Sequence, residues 1–232
     1  MKQFIGIDLG GTNIKAIVVD ANGQQKEEST CPTCDGEFEG PLPRFAIEIR
    51  DLIHDIESRL GPVDGVGISA PGLATRDERS IFSIPGKMQG LQDLDWVDFL
   101  KRESPVVILN DAQAALLGET WVGAACGKAD VIMFTLGTGV GGAIMCNGNL
   151  LKGHVGRAGH FGHSTVGADL PPDVTGMPGG LEMSISETFI KSLNHPDFRS
   201  TKDLVEAAGE GNAEASQIWE ESVRRLAVAI CS

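Results

Sequence analysis

Residues 4–23 read FIGIDLGGTNIKAIVVDANG, and residues 131–150 read VIMFTLGTGVGGAIMCNGNL. Each stretch holds an apolar run, a Gly/Thr-rich turn, a second apolar run and a closing Asn-Gly pair, which is the pattern of a β-hairpin with a polar tip. The repetition predicts a duplicated architecture of two similar α/β domains, residues 1–110 and residues 111–232. Glycine at the two tips permits close approach to the backbone, and exposed N–H groups on such turns cradle phosphate oxygens.

Gly137, Gly139 and Gly142 also satisfy G-x-G-x-x-G. A dinucleotide site requires a helix to open directly after those glycines, whereas GGAIMCNGNL is short, apolar and closed by Asn-Gly, as a strand is. The lysine-bearing phosphate loop G-x-x-x-x-G-K-[ST] is absent from the chain.

Between the hairpins, residues 40–61 (GPLPRFAIEIRDLIHDIESRLG) carry apolar residues at helical spacing and end on glycine, predicting an amphipathic helix. Residues 63–72 (VDGVGISAPG) read as a buried strand leaving into a Pro-Gly turn. In residues 104–121 (SPVVILNDAQAALLGETW) a β-branched strand ends at Asn110-Asp111 and an alanine-rich helix begins at once. Polar residues at the carboxyl end of a strand are common catalytic groups in α/β sheets. The alternative is that Asn110 or Asp111 only caps the helix.

The 232 residues, 41% of them hydrophobic, are enough to bury a substantial core. A formal charge of −13 argues against a nucleic-acid surface, which needs clustered Lys and Arg. No stretch reaches the roughly 18 consecutive apolar residues of a membrane helix, and the N-terminus enters a strand rather than a signal peptide, so a cytoplasmic protein is expected. Cys31, Cys34, Cys126, Cys146 and Cys231 are odd in number and irregularly spaced, implying reduced thiols. CPTC at 31–34 is a lone C-x-x-C expected in a surface segment.

DLGGTNIK, VGISAPG, NDAQAALLGE, TLGTGVGGAI and AGHFGH, in this order, resemble the ROK group of sugar kinases, repressors and related proteins within the actin-like ATPase superfamily. The resemblance runs from residue 4 to about residue 190. It implies two domains of the actin-like ATPase (ribonuclease H-like) type with an interdomain cleft, ATP clasped by one hairpin from each, and a hexose at the cleft floor. It further implies that Gly10, Gly11, Thr12 and Lys15 form the first phosphate hairpin and Gly137, Thr138 and Gly139 the second. Asp8 then lies near Mg2+, Asp111 is the general base and Asn110 holds a sugar hydroxyl. A homodimer partner belongs to the same expectation, as does a glucokinase-like activity without nucleic-acid or membrane partners.

The segment GHVGRAGHFGH (153–163) is informative against that pattern. The family's loop usually reads G-E-x-G-H, with both charged residues on the sugar and the His also on a structural zinc. Here His160 stands at the Glu position, and PPDVTGMPGGLE (171–182) replaces the cysteine-rich segment that completes the zinc site. Structural zinc needs about four ligands, so no structural metal site is expected. His160, His163 and Glu182 are then expected to bind the sugar, and His154 to be structural or solvent-exposed. Family members usually continue beyond the point corresponding to Ser232, so the second domain is expected to be incomplete. A sugar kinase is the first expectation and a non-catalytic sugar-binding or sensing relative the second. The repressor branch, which carries an N-terminal winged helix, and a superfamily phosphohydrolase rank below them.

Overall fold

The computed structural model describes residues 2–232 apart from residues 85, 169 and 174. The chain divides into two compact units, Met1–Lys128 with Lys152–Arg157, and Ala129–Leu151 with Ala158–Ser232. The units thus part after Lys128 and not after Asn110, because the helix that opens at Asp111 stays with the strand that precedes it.

In the first unit the strands are β1 (Gln3–Leu9), β2 (Asn13–Asp20), β3 (Gln25–Pro32), β4 (Phe38–Glu39), β5 (Leu42–Pro43), β6 (Gly65–Ala70), β7 (Leu73–Ala74), β8 (Ile81–Ser83) and β9 (Val106–Asn110). The helices are α1 (Arg44–Leu60), α2 (Trp96–Leu100) and α3 (Asp111–Trp121). Among the described residues, β3-β2-β1-β6-β9 form a five-stranded sheet. β1 pairs antiparallel with β2 and parallel with β6, which pairs parallel with β9.

Period-two alternation decides which face is buried. Ile5, Ile7 and Leu9 of β1, Ile14, Ala16 and Val18 of β2, and Val66 and Ile68 of β6 join Phe45, Ile49, Ile53 and Ile56 of α1 in one core. Each fully buried Ile or Phe side chain contributes roughly 1.5–3 kcal/mol. The helix ends where Gly61 takes φ 85°, a left-handed conformation that glycine adopts without Cβ strain, while its N–H bonds the Glu57 carbonyl. The opposite sheet face carries Gly6, Asp8, Lys15, Ile17, Gly67 and Ser69 along a concavity of about 510 Å³.

CPTC departs from the surface expectation. Cys31 is half-buried at the end of β3 against the core, and Thr33 is fully buried. The reason is strand pairing: Cys31 is in register with Ile14 of β2.

The second unit contains β10 (Val131–Leu136), β11 (Val140–Cys146) and β12 (Asn149–Leu150), followed by a 3-10 turn at Phe161–His163. Its helices are α4 (Glu182–Ile185), α5 (Glu187–Ser192), α6 (Thr201–Gly209) and α7 (Ala213–Cys231). A strand, not a helix, opens at Val140 directly after Gly137 and Gly139 and contains Gly142, in keeping with the Asn-Gly closure. Leu181, Ile185, Val140, Leu226 and Ala229 pack together, and Ile190, Phe198, Leu204 and Ala215 form a second cluster.

Candidate active site

In the first unit the parallel strands β1, β6 and β9 run in one direction, so their carboxyl ends share one sheet edge. Asp8 pairs in register with Ser69, Ser69 with Leu109, and Ala70 with Asn110. Asp8 and Asn110 therefore reach the same end of the sheet, the position where open α/β sheets bind ligands. Asp8 is exposed and accepts a hydrogen bond from the Ser69 hydroxyl at 3.2 Å. Lys15 lies directly across the β1–β2 ladder from Asp8 and is also exposed.

Both residues of the Asn110-Asp111 pair take part in the helix start. Asn110 is the N-cap of α3, its Oδ1 accepting from the Ala112 N–H at 3.0 Å, and its Nδ2 donates to the Gly72 carbonyl at 2.9 Å. Gly72 can present that carbonyl because φ is +100° there; a Cβ would lie 2.7 Å from the Ser83 carbonyl oxygen. Asp111 is exposed in the first turn, with Oδ1 accepting from the Ala112 N–H at 2.8 Å.

Each glycine tip closes on a backbone hydrogen bond of its own. The Gly10 N–H donates to the Asn13 carbonyl at 3.1 Å, and the Gly137 N–H to the Gly139 carbonyl at 3.0 Å. Among the described residues, the N–H groups of Gly11 and Thr12 in one tip, and of Thr138 and Gly139 in the other, make no hydrogen bond within the chain. Gly11, Thr12 and Thr138 are exposed. Unpaired N–H groups on a glycine turn form an anion-binding concavity.

Glu182, at the start of α4, is held at the second tip: its Oε2 accepts from the Val140 N–H at 2.9 Å. A Cβ on Gly139 would meet that same Oε2, so alanine there has to displace the end of the Glu182 side chain.

The imidazoles separate by unit. His154 is exposed in the Lys152–Arg157 segment of the first unit, while His160 and His163 belong to the second. The His160 and His163 rings lie 6.5 Å apart at 33°, with the intervening Phe161 stacked on Phe134 at 4.4 Å. His163 Nδ1 lies 2.7 Å from Asp173 Oδ2. Asp173 Oδ1 accepts from the Thr175 hydroxyl at 2.6 Å, the Thr175 N–H at 2.8 Å and the Met177 N–H at 3.2 Å. Burial pushes the Asp173 carboxyl up, but the hydrogen bonds from Thr175, His163 and Met177 outweigh it and hold the carboxyl at about 2. Sequence reading passed over Asp173, although Asp-x-Thr-Gly is a turn signature in which the carboxylate caps its own backbone.

The donor set does not fit the zinc that family resemblance implies. His163 Nδ1 is committed to Asp173, no cysteine lies between Cys146 and Cys231, and among the described residues no three His, Cys, Asp or Glu side chains group to hold a metal.

The ROK family model matches residues 4–232. The chain belongs to the ROK family. It is 35% identical over 205 residues to a glucokinase of Halalkalibacterium halodurans, a match covering 83% of this chain and 59% of that protein. It is 32% identical over 179 residues to an N-acetyl-D-glucosamine kinase of Pectobacterium atrosepticum, covering 73% of this chain and 57% of the relative. A ROK family glucokinase of Streptomyces griseus, solved with glucose and AMPPNP, superposes with a TM-score of 0.72 at 28% identity, over 98% of this chain and 78% of that one. The fold is thus the α/β actin-like ATPase fold of the ROK kinases. The matches span about three fifths of the length of the two curated relatives. Among the described residues no helix is long and apolar enough to cross a membrane.

Proposed function

We propose that this ROK chain serves an ATP-dependent sugar kinase that transfers the γ-phosphate to a hydroxyl of a glucose-like hexose. The observation that carries the reading is the pair of glycine tips, each offering unpaired backbone N–H groups in its own unit. Kinship with a glucokinase and an N-acetylglucosamine kinase supports the substrate class. Phosphoryl transfer asks chiefly for positioning and charge stabilisation, which such tips provide.

In this reading Asp111 is the general base. It takes the proton of the sugar hydroxyl as that oxygen bonds to the γ-phosphorus, the bond to the β–γ bridging oxygen breaks, and ADP leaves. Asn110, His160, His163 and Glu182 hold sugar hydroxyls, and Lys15 attends the phosphates. Asp8, an exposed carboxylate beside the first tip, suits Mg2+, which binds through one or two carboxylates together with substrate phosphates. When bound, the ion neutralises phosphate charge. The same reading places the enzyme in the cytoplasm, where thiols stay reduced, and has it act as a homodimer.

The test is ATP-dependent phosphorylation of glucose, N-acetylglucosamine and N-acetylmannosamine by the full chain, with sugar binding followed by calorimetry. The substitution of His160 for a sugar-binding carboxylate favours one second reading, a non-catalytic sugar sensor. Sugar binding without product from any of the three would select that reading.

A further inference from the structure

We infer that Thr33 and Thr188 are the positioning residues of the two tips, each clasping a tip carbonyl so that the attached peptide presents its N–H to a polyphosphate. The inference rests on the kinase reading above and adds the device that sets its cradles.

Thr33 follows β3 and is fully buried. Its hydroxyl donates to the Gly10 carbonyl at 2.6 Å, and its N–H donates to the Thr12 carbonyl at 3.0 Å. The first tip is thereby fixed at both ends by one residue from the neighbouring strand. In the second unit the start of α5 does the same work. The Thr188 hydroxyl donates to the Thr138 carbonyl at 2.7 Å, its N–H donates to the same oxygen at 3.0 Å, and the Glu187 N–H donates to the Gly137 carbonyl at 3.0 Å.

Peptide planarity turns these bonds into an aiming device. The C=O of one residue and the N–H of the next belong to one rigid trans unit and point in opposite directions. Fixing the Gly10 carbonyl fixes the Gly11 N–H; fixing the Gly137 and Thr138 carbonyls fixes the N–H groups of Thr138 and Gly139. Those three N–H groups are among the ones left without a partner in the chain. A strand end supplies one clasp and a helix start the other, so the shared feature is the chemistry rather than the local fold. Without a hydroxyl, a glycine-rich tip samples many peptide orientations, since glycine is the least restricted residue. A preset cradle spares that ordering when the ligand binds.

Thr33→Val and Thr188→Val remove the hydroxyls while keeping the branched shape, and Thr33→Ser and Thr188→Ser retain them. Tripolyphosphate and AMPPNP titrations of the full chain are expected to show about 5- to 30-fold weaker binding in each Val variant, with binding restored in the Ser variants and sugar affinity unchanged throughout. Hydrogen exchange without ligand is expected to quicken at the bonded Gly10 N–H in Thr33→Val and at the bonded Gly137 N–H in Thr188→Val, each sparing the other tip. Val variants that bind both probes as tightly as the parent would overturn the clasp and leave the kinase reading standing. A parent chain that binds neither probe would overturn the polyphosphate reading and this inference with it.

Discussion

His163 Nδ1 faces Asp173 Oδ2 at 2.7 Å, tying the 3-10 turn to a buried carboxylate in the following loop. Further along that loop, the Val166 N–H bonds the Gly179 carbonyl and the Leu181 N–H bonds the Ser164 carbonyl. Asp173 thus anchors the turn that carries His163. Because its carboxyl is held near 2, against an ordinary value of 3.8, the folded state favours the ionised form. The resulting stabilisation is complete well above pH 3.8 and is lost as pH falls towards 2. Thermal melts from pH 7 to pH 2 should show a stability loss in that window, smaller in Asp173→Asn, whose side chain does not titrate. Equal pH slopes in the two proteins would contradict the assignment.

Asp111→Asn keeps shape and polarity but cannot take up a proton. Turnover is expected to fall about 10²- to 10⁴-fold with sugar binding retained. The Ala112 N–H is shared between Asn110 and Asp111, so the helix start survives the change. Near-normal turnover in Asp111→Asn would reduce Asp111 to a helix-capping residue.

Glycine demands differ within the two tips, which allows a controlled comparison. Gly139→Ala places a methyl against Glu182 Oε2 and drives the carboxylate from the Val140 N–H, while a Cβ on Gly11 or Gly137 meets nothing within 4 Å. Gly139→Ala should cost about 1–3 kcal/mol, the range for losing a hydrogen bond to a charged group or stranding its partner. Gly11→Ala and Gly137→Ala should fold with little change. Chemical denaturation of the three variants separates the outcomes.

What the sequence made legible was local and repeated. The two hairpins, the helix ending at Gly61 and the strand-to-helix junction at Asn110-Asp111 each carry a periodicity or turn signal within a few residues. The clasps did not show, because Thr33 meets Gly10 and Thr188 meets Thr138 across 23 and 50 residues, and a single threonine has no pattern. The 110/111 boundary was drawn at a junction that marks a chemical site, whereas the compact units keep α3 beside β9. Asp173 lay in a stretch noticed only for its lack of cysteine, and what it holds became visible once the loop brought His163 back to it.

That contact also fixes the chemistry of the imidazole. An ionised Asp173 only accepts, so Nδ1 of His163 carries the proton, and in the neutral ring Nε2 is left as an acceptor. A sugar hydroxyl met by Nε2 would therefore donate to it. Asp173→Asn removes the charge and offers an amide that can donate to Nδ1, which permits the opposite tautomer and turns Nε2 into a donor. Sugar affinity is expected to fall about 5- to 50-fold, corresponding to about 1–2.3 kcal/mol, with nucleotide affinity unchanged. Asp173→Glu, which keeps an obligate acceptor, should recover part of the loss if the longer side chain is accommodated by the Thr175 turn. Isothermal titration with glucose and with AMPPNP reads both affinities. A parallel loss of both would mean that Asp173 serves only the fold of the loop, and an unchanged sugar affinity in Asp173→Asn would mean that His163 does not meet the sugar through Nε2.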